Sequence, residues 1–169
     1  MTNKLYTFFT QDHREIEGIL AAALSDPNQL DLEQYHDFRV RILTHIKMEE
    51  KILFLYAQKA NNNTPLPLQA QLRLDHGAIT ALLATPPTNE VIKVLIHILT
   101  LHDELEERPG GMYDACEALT KNQTEEIMQM LKNTTPVPVH QPNPLPVVFE
   151  AAKRALLRAG YDFDEIAKK

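Results

Sequence analysis

The sequence predicts an all-α protein, and three observations predict it. Turn and breaker residues fall in clusters, at Ser25-Asp26-Pro27-Asn28, Asn61-Asn62-Asn63, Pro86-Pro87 and Pro109-Gly110-Gly111. Between the clusters, apolar residues recur at helical spacing and do not alternate as in a half-buried strand. The chain also matches itself, its two halves offering the same helical-hairpin pattern. No β structure is expected.

The first helix is predicted from about Asn3 to Leu24, with Ile16, Ile19, Leu20 and Ala23 on one stripe. A second begins near Asp31, whose spacing to Gln34 suits a capping box, and continues through Phe38, Ile42, His45, Glu49, Ile52 and Tyr56. Thr64 is placed to cap a third helix with Pro65 at its first position, ending after Leu83. The fourth is expected from about Asn89 to Glu107. Shorter helical pieces follow around Tyr113 to Leu119 and Thr124 to Lys132. Five of the eleven prolines lie between Pro136 and Pro146, which reads as an extended strap. Beyond it Phe149 to Ala159 is helical again, with Gly160 placed to end it. The division expected is thus a bundle with short trailing helices over 1–133, a Pro-rich strap over 134–148, and a C-terminal helix and tail over 149–169.

Composition bounds the function. A chain of 169 residues, 44% apolar and 24% charged, suits one globular domain with a real core and excludes general disorder. With 17 Lys and Arg against 23 Asp and Glu, a formal charge of −6, and no basic cluster, neither nucleic acid nor an anionic membrane is expected as the main partner. The one cysteine, Cys116, excludes an internal disulfide and reads as a small buried hydrophobe in a reducing compartment. The start of the chain lacks the apolar run of a signal peptide, and Val91 to Leu101 is too short to span a bilayer, so a cytoplasmic location is expected.

The internal repeat carries the chemistry. Asp12-His13-Arg14-Glu15-Ile16 matches Asp75-His76-Gly77-Ala78-Ile79, and His45-Ile46-Lys47-Met48-Glu49 matches His102-Asp103-Glu104-Leu105-Glu106. Each half offers a lone histidine on one helix and a His-x3-Glu on the next. Residues four apart on a helix point the same way, so each His-x3-Glu presents two ligands toward one point. Ile42, Ile46 and Ile52 surround Glu49, and Ile98, Leu101 and Leu105 surround Glu106. A carboxylate buried there without a counterion costs several kcal/mol or neutralises itself. A bound cation resolves this. Imidazole with carboxylate suits iron, manganese or zinc, whereas calcium and magnesium prefer oxygen throughout. Two divalent ions bring about +4 against −2 from the two glutamates, leaving room for a bridging hydroxide or oxide.

The set His13, His45-x3-Glu49, His76, His102-x3-Glu106, in that order, resembles the hemerythrin-like, or HHE cation-binding, family, over roughly His13 to Glu107. The resemblance implies an up-down-up-down four-helix bundle, here with short extra C-terminal helices, holding two non-haem irons. It implies that Glu49 and Glu106 bridge the metals and that the four histidines divide two and two. The expected cofactor is two Fe ions with a bridging oxo or hydroxo group, zinc or manganese being the substitutes.

Oxygen carriers of the family have a fifth histidine one helical turn beyond the ligand matching His76, where this chain has Thr80. Two His, one oxygen from each bridging Glu and a bridging oxide or hydroxide give about five ligands per iron against a preferred six. The sequence is similar in this to members associated with peroxide decomposition. The expected function is therefore a di-iron protein reacting with or sensing oxygen, peroxide or nitric oxide, its partner a small diatomic or peroxide ligand. The other reading is an iron-binding or regulatory module without turnover, signalling through the strap and tail. The tail either docks on the body or reaches a second copy in a homodimer.

Other polar residues have two readings each. Glu17, four after His13, is an extra ligand or a solvated helix position, the second being expected. Glu50 and Glu107 lie about 100° round the helix from the bridging glutamates and read as surface or as partners behind the ligands. Tyr56 and Tyr113 each follow such a glutamate by seven, near the same face, and read as core or as lining the metal pocket. The Gly110-Gly111 break counts against Tyr113. His36, His97 and His140 are expected off the site. Asp12 and Asp75, each preceding a ligand, are read as orienting neighbours, capping backbone or being solvated.

Overall fold

The computed structural model describes residues 3–169; Met1 and Thr2, with which the expected first domain and the leader reading begin, lie outside the described residues. Among the described residues all regular structure is helical. No helix is long and apolar enough to cross a membrane.

Two compact units make up the chain. The first comprises Met1–Leu66 and Pro109–Val139. In it α1 (Lys4–Ala23) packs on α2 (Leu32–Met48), which runs through a π-helical turn (Glu49–Leu53) into α3 (Phe54–Ala60). Helices α6 (Met112–Leu119) and α7 (Thr124–Lys132) close over α1, α3 and the π turn. Leu5, Phe9, Ile16 and Leu20 of α1 meet the buried Phe38, Ile42, Leu53 and Phe54 in its core, with Cys116 fully buried as expected. The stripe on α1 is that read from the sequence, except that Ile19 is half-buried.

The second unit comprises Pro67–Arg108 and His140–Lys169. Here α4 (Gln69–Leu83) packs on α5 (Asn89–Glu107) and on α8 (Pro146–Ala159), and α9 (Phe163–Lys168) packs on α5 and α8. Leu72, Ile79, Leu82, Leu95, Ile98 and Leu156 are buried between them. Residues 134–145 form no helix, as the prolines require. The start of this strap is tied to α2, Val137 N donating to Thr44 Oγ1 at 3.0 Å. Its end is tied to the last turn of α4, Asn143 N donating to Ala84 O at 2.8 Å. Gly160 ends α8 at φ 95°, a left-handed conformation open to glycine at little cost.

The caps follow the local chemistry. Asp31 accepts from Gln34 N at 3.0 Å at the start of α2, and Thr88 Oγ1 accepts from Val91 N at 3.2 Å at the start of α5. The third long helix starts later than its sequence suggests. Thr64 does not cap it and Pro65 is not its first residue, because α4 begins only at Gln69. A residue preceding proline is pushed out of the helical region, so Pro65 and Pro67 hold Thr64 and Leu66 extended in turn. The helix forms once both are passed. The Asn61-Asn62-Asn63 stop is a left-handed turn, with φ of 56° at Asn62 and 60° at Asn63.

Thr88→Ala removes the side-chain acceptor that caps the start of α5 and is expected to lower stability by about 1 kcal/mol. Urea denaturation measures it, and an unchanged midpoint would show that the cap carries no weight.

Candidate functional site

Helix spacing and burial bring the six ligand candidates into two clusters, one in each unit. In the first, His13 of α1 and His45 of α2 are buried, their ring centroids 4.5 Å apart. Glu49 is fully buried, one helical turn beyond His45, with its Oε1 3.1 Å from His45 Nε2. Ligand atoms of His13, His45 and Glu49 all lie within 4.8 Å of one another. In the second unit, His76 of α4 and His102 of α5 have ring centroids 4.8 Å apart. Glu106, fully buried, places Oε1 3.1 Å from His102 Nε2 and 4.0 Å from His76 Nε2. Ligand atoms of these three likewise lie within 4.8 Å of one another.

Each unit therefore holds a buried group of two imidazoles and one carboxylate, positioned to hold a metal ion. The donor set fits a first-row divalent ion: mixed nitrogen and oxygen, anionic by one charge, withdrawn from water. His45 and His102 are also held from behind. Asp12 Oδ2 lies 2.7 Å from His45 Nδ1, and Asp75 Oδ2 lies 3.1 Å from His102 Nδ1. A carboxylate accepting at Nδ1 fixes the proton there, leaves Nε2 facing the glutamate, and raises the basicity of the ring. In both halves the aspartate next to the lone histidine thus serves the histidine of the following helix. The sequence signal was the repeated Asp-His pair, but nothing in its spacing says which ring the aspartate reaches.

The two aspartates are themselves held differently. Asp12 is part-exposed and takes Arg41 Nη2 at 2.5 Å. Burial raises its pKa, but His45 and the Arg41 guanidinium outweigh that and hold it below the usual 3.8. Asp75 is fully buried and accepts from neutral groups, Tyr161 Oη at 3.1 Å and Gln71 Nε2 at 2.8 Å. Burial and the Asp75 charge both push the Tyr161 phenol up.

Tyr113 enters the first cluster outright. Its phenol donates to Glu49 Oε1 at 2.5 Å and lies 3.1 Å from His13 Nε2 and 3.2 Å from His45 Nε2. The Gly110-Gly111 break, which counted against this residue, is what starts a new helix and delivers Tyr113 to the unit of Glu49 and not to that of Glu106. Tyr56 goes the other way. Half-buried and not core, it donates to Glu126 Oε1 at 2.5 Å. The π turn starting at Glu49 holds more residues than an α turn, so a count of seven falls short of the site face.

The remaining candidates are less buried. Glu17 is exposed and pairs with Arg14 at 3.2 Å, Thr80 is exposed, and Glu50 and Glu107 are half-buried. His36 and His97 are half-buried, and His140 is exposed in the strap. Comparison with protein-family models, with curated proteins and with solved structures gives no match in any of the three.

Without metal, burial alone would lower the pKa of His45, yet the Glu49 charge and the hydrogen bonds of Asp12 and Glu49 outweigh it and push the ring up to about 9 from 6.5. His45 then binds its proton more tightly folded than unfolded, so its stabilisation is complete below about pH 6.5 and lost as pH rises through about 9. Asp12 sets the acid limit, its contribution being present above pH 3.8 and lost as pH falls through its lowered folded value. Urea midpoints of the chelator-treated chain are expected to fall between pH 6.5 and 9. A midpoint climbing through that interval contradicts this account.

Proposed function

We propose that this chain is a hemerythrin-like, non-haem di-iron protein that reacts with or senses oxygen, peroxide or nitric oxide. The observation that carries the reading is the duplication of one buried His-His-Glu group, each with an aspartate behind its second imidazole. One such group by itself is compatible with a satisfied polar core. Two, at matching places of an internal repeat, are what a pair of metal ions requires. The four long helices α1, α2, α4 and α5 are those that the up-down-up-down bundle of the resemblance would use, with Glu49 and Glu106 as its bridging carboxylates.

His13, His45 and Glu49 would hold one iron, and His76, His102 and Glu106 the other; zinc and manganese accept the same donors. Iron bound there supplies one-electron exchange with a small oxygen- or nitrogen-containing ligand. The protein's own part is to present Nε2 of each imidazole, to keep Asp12 and Asp75 on the Nδ1 protons of His45 and His102, and to exclude bulk water from the carboxylates. Because Thr80 is exposed, no fifth histidine completes the ligand set of the second group. That incompleteness favours reaction with a small ligand over a saturated, purely structural ion.

Protein grown in iron-replete medium is expected to carry about two irons per chain by metal analysis, falling in Glu49→Ala and Glu106→Ala, with peroxide consumption abolished in both. Helical protein without iron removes the proposal. Tightly held iron with no turnover instead identifies a binding module.

Asp75→Ala is expected to weaken metal affinity about 10- to 100-fold, and Asp75→Asn less, since an amide oxygen still accepts from His102 Nδ1. Competition with a chelator of known affinity measures both. Equal affinity in all three proteins would show that the ring needs no support from behind.

A further inference from the structure

Tyr113 does more than line the first cluster. Its oxygen lies 2.5 Å from Glu49 Oε1, 3.1 Å from His13 Nε2 and 3.2 Å from His45 Nε2, all three being the donor atoms of that group. Neighbouring donors around one first-row ion, with bonds near 2.1 Å, are about 3 Å apart. The phenol oxygen therefore stands to the other three as a fourth member of a single coordination shell. Its position is fixed by packing: Tyr113 is buried, Phe9 stacks on its ring at 5.2 Å, and Tyr6 meets it edge-on at 6.4 Å. Glu117 Oε2 accepts from Tyr6 N at 2.9 Å and ties α6 to α1 beside it. In the second unit Tyr161 addresses Asp75, behind the His102 ring.

We propose that Tyr113 is a metal ligand, its phenolate oxygen joining His13, His45 and Glu49 on the ion of the first unit. The assignment rests on the metal-binding reading above and deepens it. Coordination breaks the phenol O–H bond as the oxygen–metal bond forms; the proton is released to the buffer and no electron moves. An anionic, hard oxygen favours ferric iron over ferrous iron and over zinc, and tyrosinate is an established iron ligand in proteins. The two groups then differ in kind, the first having a phenolate oxygen that the second lacks.

Ferric iron bound by phenolate absorbs visible light by charge transfer from the ring, and resonance Raman excitation in that band reports tyrosinate ring modes. The chelator-treated full chain, loaded with ferrous iron and oxidised in air, is expected to show the band, with modes that shift when the protein is made with ring-deuterated tyrosine. Tyr113→Phe is expected to lose the band and keep bound iron, whereas Tyr56→Phe keeps both. If Tyr113→Phe does not fold, persistence of the ring modes in Tyr6→Phe, Tyr35→Phe, Tyr56→Phe and Tyr161→Phe assigns them to the one tyrosine left of five. Iron bound without tyrosinate modes overturns the ligand assignment and leaves the metal reading standing. No iron bound at all overturns both.

Discussion

A carboxylate in a dry helical interior is the constraint on which the rest of this protein depends. Glu49 and Glu106 are both fully shielded from solvent, where an ionised carboxylate alone is several kcal/mol unfavourable. Everything near them answers that cost. Each has an imidazole nitrogen of its own helix at 3.1 Å, placed there by four-residue spacing, and a second imidazole from the preceding long helix of the same unit. The imidazoles need their outer nitrogens satisfied in turn, which is what Asp12 and Asp75 do. Chains of acid, base and acid of this kind remain costly without a multivalent cation and become favourable with one. Helix packing that could have closed over leucines closes over imidazoles and carboxylates.

The two units solve the same problem with different outer partners. Asp12 sits at the rim, and Arg41 and Glu15 form an exposed ion-paired network around it, with Arg41 Nη2 2.8 Å from Glu15 Oε2. Asp75 sits in the core, where, besides the His102 ring, it meets the hydroxyl of Tyr161 and the amide of Gln71. The aspartate contact is 2.7 Å at His45 and 3.1 Å at His102. His102 also depends on how Asp75 is held. Its support comes from the C-terminal segment: Tyr161 follows Gly160, the residue that ends α8, and Gln71 Nε2 also donates to Ala159 O at 2.9 Å. The tail beyond the proline strap is therefore part of what holds the second cluster in place.

Much of the helical framework was legible because it is written in local chemistry. Breakers, caps and helical periodicity placed α1, α5, α6, α7 and the start of α2 to within a residue or so, and the repeat selected the six ligand candidates that the two units gather. The misreadings have local causes as well. Pro65 on its own marks a helix start, but Pro67 two residues later delays the helix to Gln69. A uniform α-helical count carried past Glu49 put Tyr56 on the site face, whereas the π turn rotates it outward. Tyr113 and the two aspartates were visible as candidates, but their partners are set by tertiary packing. A spacing of seven from Glu106 says nothing about a helix that restarts at Met112 and turns toward Glu49.

The π turn and the tyrosine belong to one arrangement. An α-helix continuing unbroken past Glu49 would keep the following residues at regular spacing below the carboxylate. The wider turn adds a residue at the site, and π turns are frequent where a side chain must be re-aimed. Glu49 is the first residue of that turn, its Oε1 accepts from Tyr113, and α6 packs on α1 and α3 in the same unit. In the second unit α5 runs as one helix from Asn89 through Glu106 to Glu107, and the tyrosine of that unit, Tyr161, donates to Asp75 behind the His102 ring. The internal repeat has thus been broken on one side only, by a local widening and a phenol that come together at the same carboxylate. An ion in the first unit would meet a more anionic and more oxygen-rich environment than one in the second, and a pair so differentiated is suited to holding its two members in different oxidation states.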